Sequence, residues 1–186
     1  MKKLKSIKGI PLSYIQSILK IDQTSLSGLT WLPREDNIRW NNRYANKIAG
    51  NLHVNIFDGY QSWNASIKYN NKKKSLKCSR IIFLLHNGYL TNDKQVDHED
   101  GNSLNNKVNN IRESTEYQNA QNRGMRSDNS SGHKNVFWDK INKKWKVQIY
   151  ANGKYHYFGL YVNKEDAIKV AIEARKKLHG EFGRDE

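Results

Sequence analysis

The sequence predicts an α+β protein assembled from small modules, with a strand-rich N-terminal region and a small three-stranded antiparallel sheet plus one helix at the C-terminus. Three observations predict this. Apolar residues make up 37% of the 186-residue chain, too few for one large core at this length. Short runs rich in Trp, Tyr, Asn and Ile alternate with turn-forming residues over 28–70, as between short strands. From 144 to 150, apolar and polar residues alternate strictly and then meet an Asn-Gly pair, the mark of a half-buried strand entering a hairpin.

In chain order, Ile10, Ile15, Ile18 and Leu19 have helical spacing and predict a short helix over 10–20. Strands are expected at 29–32, 53–57 and 63–69, with a polar, basic turn at 70–74. Residues 79–85 are apolar, and so short a run fits strand or helix equally. Residues 119–133 hold almost nothing apolar and read as an exposed linker. Beyond it, strands are expected at 134–139, 144–150 and 154–160, the last two joined by Asn152-Gly153, where both residues tolerate positive φ. Asn163, with Asp166 three residues on, caps a helix striped by Ile168, Ala171, Ile172 and Leu178 and ended by Gly180.

Charge is unevenly spread. Residues 1–95 carry 16 Lys/Arg against 5 Asp/Glu, residues 96–122 carry 2 against 5, and residues 123–186 carry 14 against 8. An acidic island therefore sits between two basic flanks. Basic surface attracts a phosphate backbone by counterion release, and an acidic spot within it suits metal-assisted phosphodiester chemistry; the bland alternative is a solvated basic surface with a chance acidic loop. The single cysteine, Cys78, excludes intramolecular disulfides and Cys-based zinc sites. No apolar stretch long enough for a signal peptide follows the basic start, and the run 81–85 is far too short to span a membrane. The expectation is a cytoplasmic protein without a membrane partner.

The island reads Val96-Asp97-His98-Glu99-Asp100-Gly101-Asn102-Ser103-Leu104-Asn105-Asn106, continuing through Lys107-Val108-Asn109-Asn110-Ile111-Arg112 to Gln118-Asn119. Phosphodiester hydrolysis needs an activated water and an ion to neutralise developing charge. An imidazole can take the water's proton. A carboxylate and an amide oxygen are hard ligands that suit Mg²⁺ or Mn²⁺. In an extended segment Asp97 and His98 point to opposite faces, so a turn or partner element must bring them together.

Asp-His-x-Asp-Gly-Asn, then Leu-Asn-Asn, Asn-Ile-Arg and Gln-Asn, resembles the HNH nuclease motif in the version found in phage-encoded and intron-encoded homing endonucleases. The approach over 80–88 resembles it too, and the likeness spans roughly 40–122. The resemblance implies a ββα-metal (His-Me finger) core that hydrolyses double-stranded DNA with one divalent ion, Mg²⁺ or Mn²⁺. It implies that His98 is the general base and Asp97 a metal ligand. Asn110 takes the place of the middle motif Asn, which orients the His and braces the loop. Asn119 falls where many relatives have a metal-binding His, and Asn122 is an alternative for that place.

Residues 130–184 resemble a second family, the plant ethylene-response-factor (apetala-two) DNA-binding domain. The likeness lies in Ser131-Gly132-His133-Lys134-Asn135-Val136, Lys144-Trp145-Lys146-Val147-Gln148-Ile149, Phe158-Gly159-Leu160-Tyr161, Glu165-Asp166-Ala167 and Leu178-His179-Gly180-Glu181-Phe182. It implies a three-stranded sheet lying in the major groove with the helix behind it. Lys134, Lys144, Lys146, Gln148, Tyr150, Lys154, Tyr155 and Tyr157 are then the expected DNA contacts. Lys, Gln and Tyr replace the Arg and Trp usual there, which favours phosphate contact over base readout, and Asn135 replaces a usual Gly. The expected layout is a DNA-contacting strand-rich region at 1–78, the HNH nuclease core at 79–122, a linker at 123–133 and the apetala-two-like domain at 134–182. The expected activity is site-directed cutting or nicking of DNA by a monomer encoded by a phage and acting in its bacterial host. The alternative is a sequence-specific DNA-binding protein with a vestigial nuclease.

Overall fold

The computed structural model describes residues 2–125 and 128–185, so positions 126 and 127 of the expected linker lie outside it. The chain divides into two compact units, Met1–Thr115 and Glu116–Glu186.

The first unit is a set of small antiparallel sheets around one helix. In order it runs β1 (Lys3–Leu4), β2 (Ser6–Ile7), β3 (Ile10–Pro11), α1 (Leu12–Ile18), β4 (Leu19–Ile21), β5 (Leu29–Trp31), α2 (Ile38–Tyr44), β6 (Asn51–Val54), β7 (Gln61–Tyr69), β8 (Lys72–Lys77), α3 (Cys78–Asn87), β9 (Leu90–Thr91), β10 (Gln95–His98) and β11 (Ile111–Ser114). β2 pairs with β3, β4 with β5, β10 with β11, and β1 reaches across the unit to β9. β6, β7 and β8 form a three-stranded sheet. The helix and strands expected in the N-terminal region are present, with ends displaced by one to three residues. The turn expected at 70–74 contracts to Asn70-Asn71, both at positive φ (48° and 59°). Two left-handed residues suffice for a tight hairpin, so Lys72 to Lys74 belong to β8.

The run left open between strand and helix forms α3, at the centre of the unit. Cys78, Ile81, Ile82 and Leu84 are fully buried. They pack with Ile10, Ile15, Leu29, Ile67, Leu76 and Ile111 in one core. A helix apolar on most sides must be surrounded, and here the N-terminal strands do the surrounding. Residues 1–78 therefore share a core with the hairpin at 95–114 instead of forming a separate module. Gly88, left-handed at φ 76°, stops the helix, and its N–H donates to the Leu84 carbonyl at 2.9 Å.

The second unit holds α4 (Glu116–Gln121), β12 (Val136–Asp139), β13 (Lys144–Ala151), β14 (Lys154–Tyr161) and α5 (Lys164–His179). The three strands form an antiparallel sheet in sequence order, and α5 packs on one face, its Ala167 and Ala171 against Val136 and Val147 of the sheet. Asn152 (φ 52°) and Gly153 (φ 77°) make the predicted turn. Two expectations shift. The first part of the expected linker is helical, as α4. The buried stripe of α5 runs through Ala167, Ala171 and Ala174, whereas Ile172 is exposed. Small side chains bring the helix close to the sheet, and that closeness sets the helix rotation. Arg175, buried beneath the helix, is satisfied by the Lys134 carbonyl at 2.6 Å and the Asp185 carboxylate at 2.6 Å.

Gly28 marks a close approach within the first unit. It has φ +78°, and a Cβ there would lie 2.7 Å from Ile82 Cδ1 and 3.2 Å from both Asn106 Cβ and the Asn106 carbonyl oxygen. Gly28→Ala is expected to lower stability by about 1–3 kcal/mol. Chemical denaturation measures this, and an unchanged midpoint would show that the close approach does not exist in solution.

Candidate active site

β10 and β11 form the hairpin that presents the acidic island. The register pairs Asp97 with Arg112 and His98 with Ile111. Asp97 is 6% exposed and His98 9%. Both lie in extended backbone, so they face opposite sides of β10. On one side Arg112 Nε approaches Asp97 Oδ2 at 3.4 Å. On the other, His98 Nε2 lies 2.9 Å from Asn106 Oδ1.

The loop joining the two strands is organised by Asp100. Its carboxylate accepts from Asn105 Nδ2 at 2.7 Å, Asn102 N at 2.8 Å and Asn110 Nδ2 at 3.0 Å. Burial pushes this carboxyl up, but hydrogen bonds from the Asn105 and Asn110 side chains and from the Asn102 N–H outweigh it and leave it below its usual range. The Asn110 side chain also donates to the Asn105 carbonyl at 2.8 Å and accepts from Asp100 N at 3.1 Å, while its backbone carbonyl accepts from Glu99 N at 2.8 Å. Asn110 thus closes the base of the loop. Ser103 Oγ donates to the Gln61 carbonyl at 2.6 Å, tying the loop to β7.

Asn106 links this hairpin to the N-terminal strands. Its Nδ2 donates to the Ser27 carbonyl at 3.0 Å. Ser27 sits in the turn between β4 and β5, a turn held by Asp22. The Asp22 carboxylate accepts from Thr24 Oγ1 at 2.6 Å, Thr24 N at 3.0 Å and Thr30 Oγ1 at 2.8 Å. These bonds, led by the Thr24 and Thr30 hydroxyls, hold the Asp22 carboxyl at about 2, down from 3.8. Asp100 and Asn106 both lie within the motif, but the sequence assigns neither a role, because a run of Asn and Asp does not reveal that Asn106 is the member that turns inward.

Among the described residues, no cluster of three or more His, Cys, Asp or Glu is placed to hold a metal ion. The hard donors expected for one are Asp97 on β10 and the Asn119 amide on α4, with Asn122 just beyond that helix and buried. A carboxylate and an amide oxygen are each hard donors of the kind that divalent ions such as Mg²⁺ or Mn²⁺ take. Cys78 is buried, and desolvation pushes its thiol up to about 12, which leaves it inert.

In the second unit, the register places Lys146 opposite Leu160, Gln148 opposite Tyr157 and Tyr150 opposite Tyr155. A bulge between Val147 and Gln148 keeps Tyr155 and Tyr157 on the same face as Lys144, Lys146, Gln148 and Tyr150, away from α5. Tyr155 is 69% exposed, and its ring meets that of Tyr150 edge-on at 5.0 Å. Phe137, opposite Lys146 on β12, joins this face and was not anticipated. Two expected contacts fall elsewhere. Lys154 pairs with Ala151 and so takes the alternation of the helix-covered face. Lys134 turns inward, donating to the carbonyls of Arg184 at 2.6 Å and Arg123 at 2.8 Å. Burial, then the charges of Arg175 and Arg184, lower its pKa to about 8.

The segment containing the hairpin and α4 matches a known family: residues 77–121 carry an HNH endonuclease domain. The strand–strand–helix order over 95–121 fits the ββα-metal core, and HNH nucleases as a class generally use a divalent metal. Protein 3.8 of Escherichia phage T7 is 33% identical to the chain over 101 residues, which is 53% of this chain and 80% of that protein. The chain belongs to the same family as that phage protein. No solved structure matches it. No helix among the described residues is long and apolar enough to cross a membrane.

The geometry around Asp22 carries a pH prediction. Because its folded pKa is depressed, the carboxylate's support of the 22–30 turn is complete above 3.8 and disappears as pH falls through about 2. NMR shifts of the Thr24 and Thr30 amides are expected to follow a single titration centred near 2. A midpoint near 3.8 would mean that these hydrogen bonds are not made.

Proposed function

We propose that this chain is a DNA endonuclease of the HNH homing type, which cuts or nicks duplex DNA at a chosen site using one divalent ion, Mg²⁺ or Mn²⁺. The observation that carries the reading is His98, nearly buried at the end of β10 and held at 2.9 Å by Asn106, inside the segment that matches the HNH endonuclease family. A nucleophilic water gives its proton to His98 and attacks phosphorus. The bond from phosphorus to the 3′-oxygen breaks and that oxygen takes a proton from solvent water, leaving a 3′-hydroxyl and a 5′-phosphate. Asp97 and the Asn119 amide, or that of Asn122, would hold the ion, which when bound would supply neutralising charge at the scissile phosphate. Asn110 keeps the loop that follows His98 closed.

Two surfaces suit the DNA. On the first unit, a groove along β7 and β8 is lined by Lys8, His53, Tyr60, Lys77 and Arg80, a cationic track for phosphates. It is the contact surface we assign to the N-terminal region. On the second unit, the face of Lys144, Lys146, Gln148, Tyr150, Tyr155 and Tyr157 suits the major groove, which admits a β-ribbon. Asn135, at φ 66°, has a backbone conformation that Asn and Gly share, which fits an apetala-two-like reader whose usual residue there is Gly. A phage-encoded monomer acting in the host cytoplasm accords with the relationship to the phage T7 protein.

One observation favours the alternative of a DNA-binding protein with a vestigial nuclease. The buried Asp97 carboxylate already faces the Arg112 guanidinium, which competes with any cation for it. A cleavage assay with Mg²⁺ or Mn²⁺, a chelator control and sequencing of the new ends separates the two readings. Under the nuclease reading, His98→Ala lowers the cleavage rate by about 100-fold or more while DNA affinity is kept. Equal rates for the variant and the parent would rule out the general base. Replacing Tyr155 and Tyr157 together by Ala is expected to weaken site binding about tenfold, ~1.4 kcal/mol; unaltered affinity in a mobility-shift titration would remove the sheet face from the interface.

A further inference from the structure

We infer that Asn106 is the positioning residue of the site: it fixes the ring of His98 and decides which ring nitrogen serves as the base. The catalytic meaning of this rests on the nuclease reading, but the geometry does not.

The direction in which the Asn106 amide points determines where the His98 proton sits. Asn106 is buried, and one end of its amide lies 3.0 Å from the Ser27 carbonyl oxygen. A carbonyl oxygen only accepts, so the amide nitrogen must face it. The reverse orientation sets two acceptors against each other where Ser27 is wholly buried, and a buried acceptor left without a donor is strongly disfavoured. The amide oxygen is therefore the atom 2.9 Å from His98 Nε2. It too only accepts, so Nε2 carries the proton. A neutral imidazole has a single N–H, which leaves the lone pair on Nδ1.

The amide is itself well held. Asn106 N donates to the Leu104 carbonyl at 3.1 Å, and Gly28 leaves no room to shift, since even a Cβ there would come within 3.2 Å of Asn106 Cβ. The β4–β5 turn thus reaches the putting-in-place of His98 through one side chain, across 79 residues of sequence to Asn106 and 8 more back to the histidine. Asn110, by contrast, spends its side chain on Asp100 and Asn105. The two asparagines divide the work: Asn110 shapes the loop, and Asn106 sets the ring.

Long-range ¹H–¹⁵N correlation spectra of the full-length protein, recorded with the imidazole neutral, read the tautomer directly. The expected result for the parent is a proton on Nε2 and a lone pair on Nδ1. In Asn106→Ala the preference is lost, and kcat for DNA cleavage falls about 10- to 100-fold with KM unchanged. Asn106→Asp keeps an acceptor for Nε2–H and so restores the Nε2–H signature, but its second oxygen is set against the Ser27 carbonyl, so the variant is less stable than the parent. A parent protein with the proton on Nδ1 overturns the inference, and this measurement needs no variant to fold. So does a folded Asn106→Ala that keeps both the parental tautomer and the parental kcat. Absence of metal-dependent cleavage by the parent overturns the nuclease reading instead, and the tautomer spectrum still decides whether Asn106 governs the ring.

Discussion

The first unit depends on α3 being covered on nearly every side. Ile81, Ile82 and Leu84 point in different directions from a helix of ten residues, and each buried Leu or Ile is worth about 1.5–3 kcal/mol of transfer free energy. No one sheet covers such a helix. The chain answers with several short antiparallel pairs, drawn from residues 3 to 114, that close around it. For this reason the N-terminal strands and the β10–β11 hairpin form a single body, and a turn near residue 27 comes to lie against a side chain at residue 106.

Polar groups carried into that body must find partners, because an unpaired buried donor or acceptor costs more than a made hydrogen bond gains. In the acidic island the buried Asn106 bridges His98 to Ser27, while the exposed Asp100 gathers three donors from Asn102, Asn105 and Asn110. A rigid loop also serves chemistry, which needs its groups held before substrate arrives.

In the second unit the comparable constraint is the bulge between Val147 and Gln148. Along β14 it switches the alternation, so that Tyr161 faces the core opposite Trp145 while Tyr155 and Tyr157 face away from α5. Gly159, at φ +119° and with a Cβ position only 3.2 Å from the Tyr161 hydroxyl, sits where that switch occurs; bulges commonly draw on glycine in this way. One irregularity therefore gathers the aromatic and basic side chains on one surface.

The α+β class, the C-terminal strand order, the Asn152-Gly153 turn and the segment that carries the HNH domain were all legible in the sequence. Each of these is local: period-two alternation, a tight-turn pair, or residues close together in the chain. Tertiary structure alone decided that residues 79–85 are helical, because an apolar run that short has no period of its own. It alone placed Lys154 and Lys134 off the exposed sheet face, since register and burial are settled by partners distant in the chain. It alone selected Asn106 among the asparagines of the island, because what distinguishes it is a carbonyl 79 residues away, and no spacing within the motif encodes that contact.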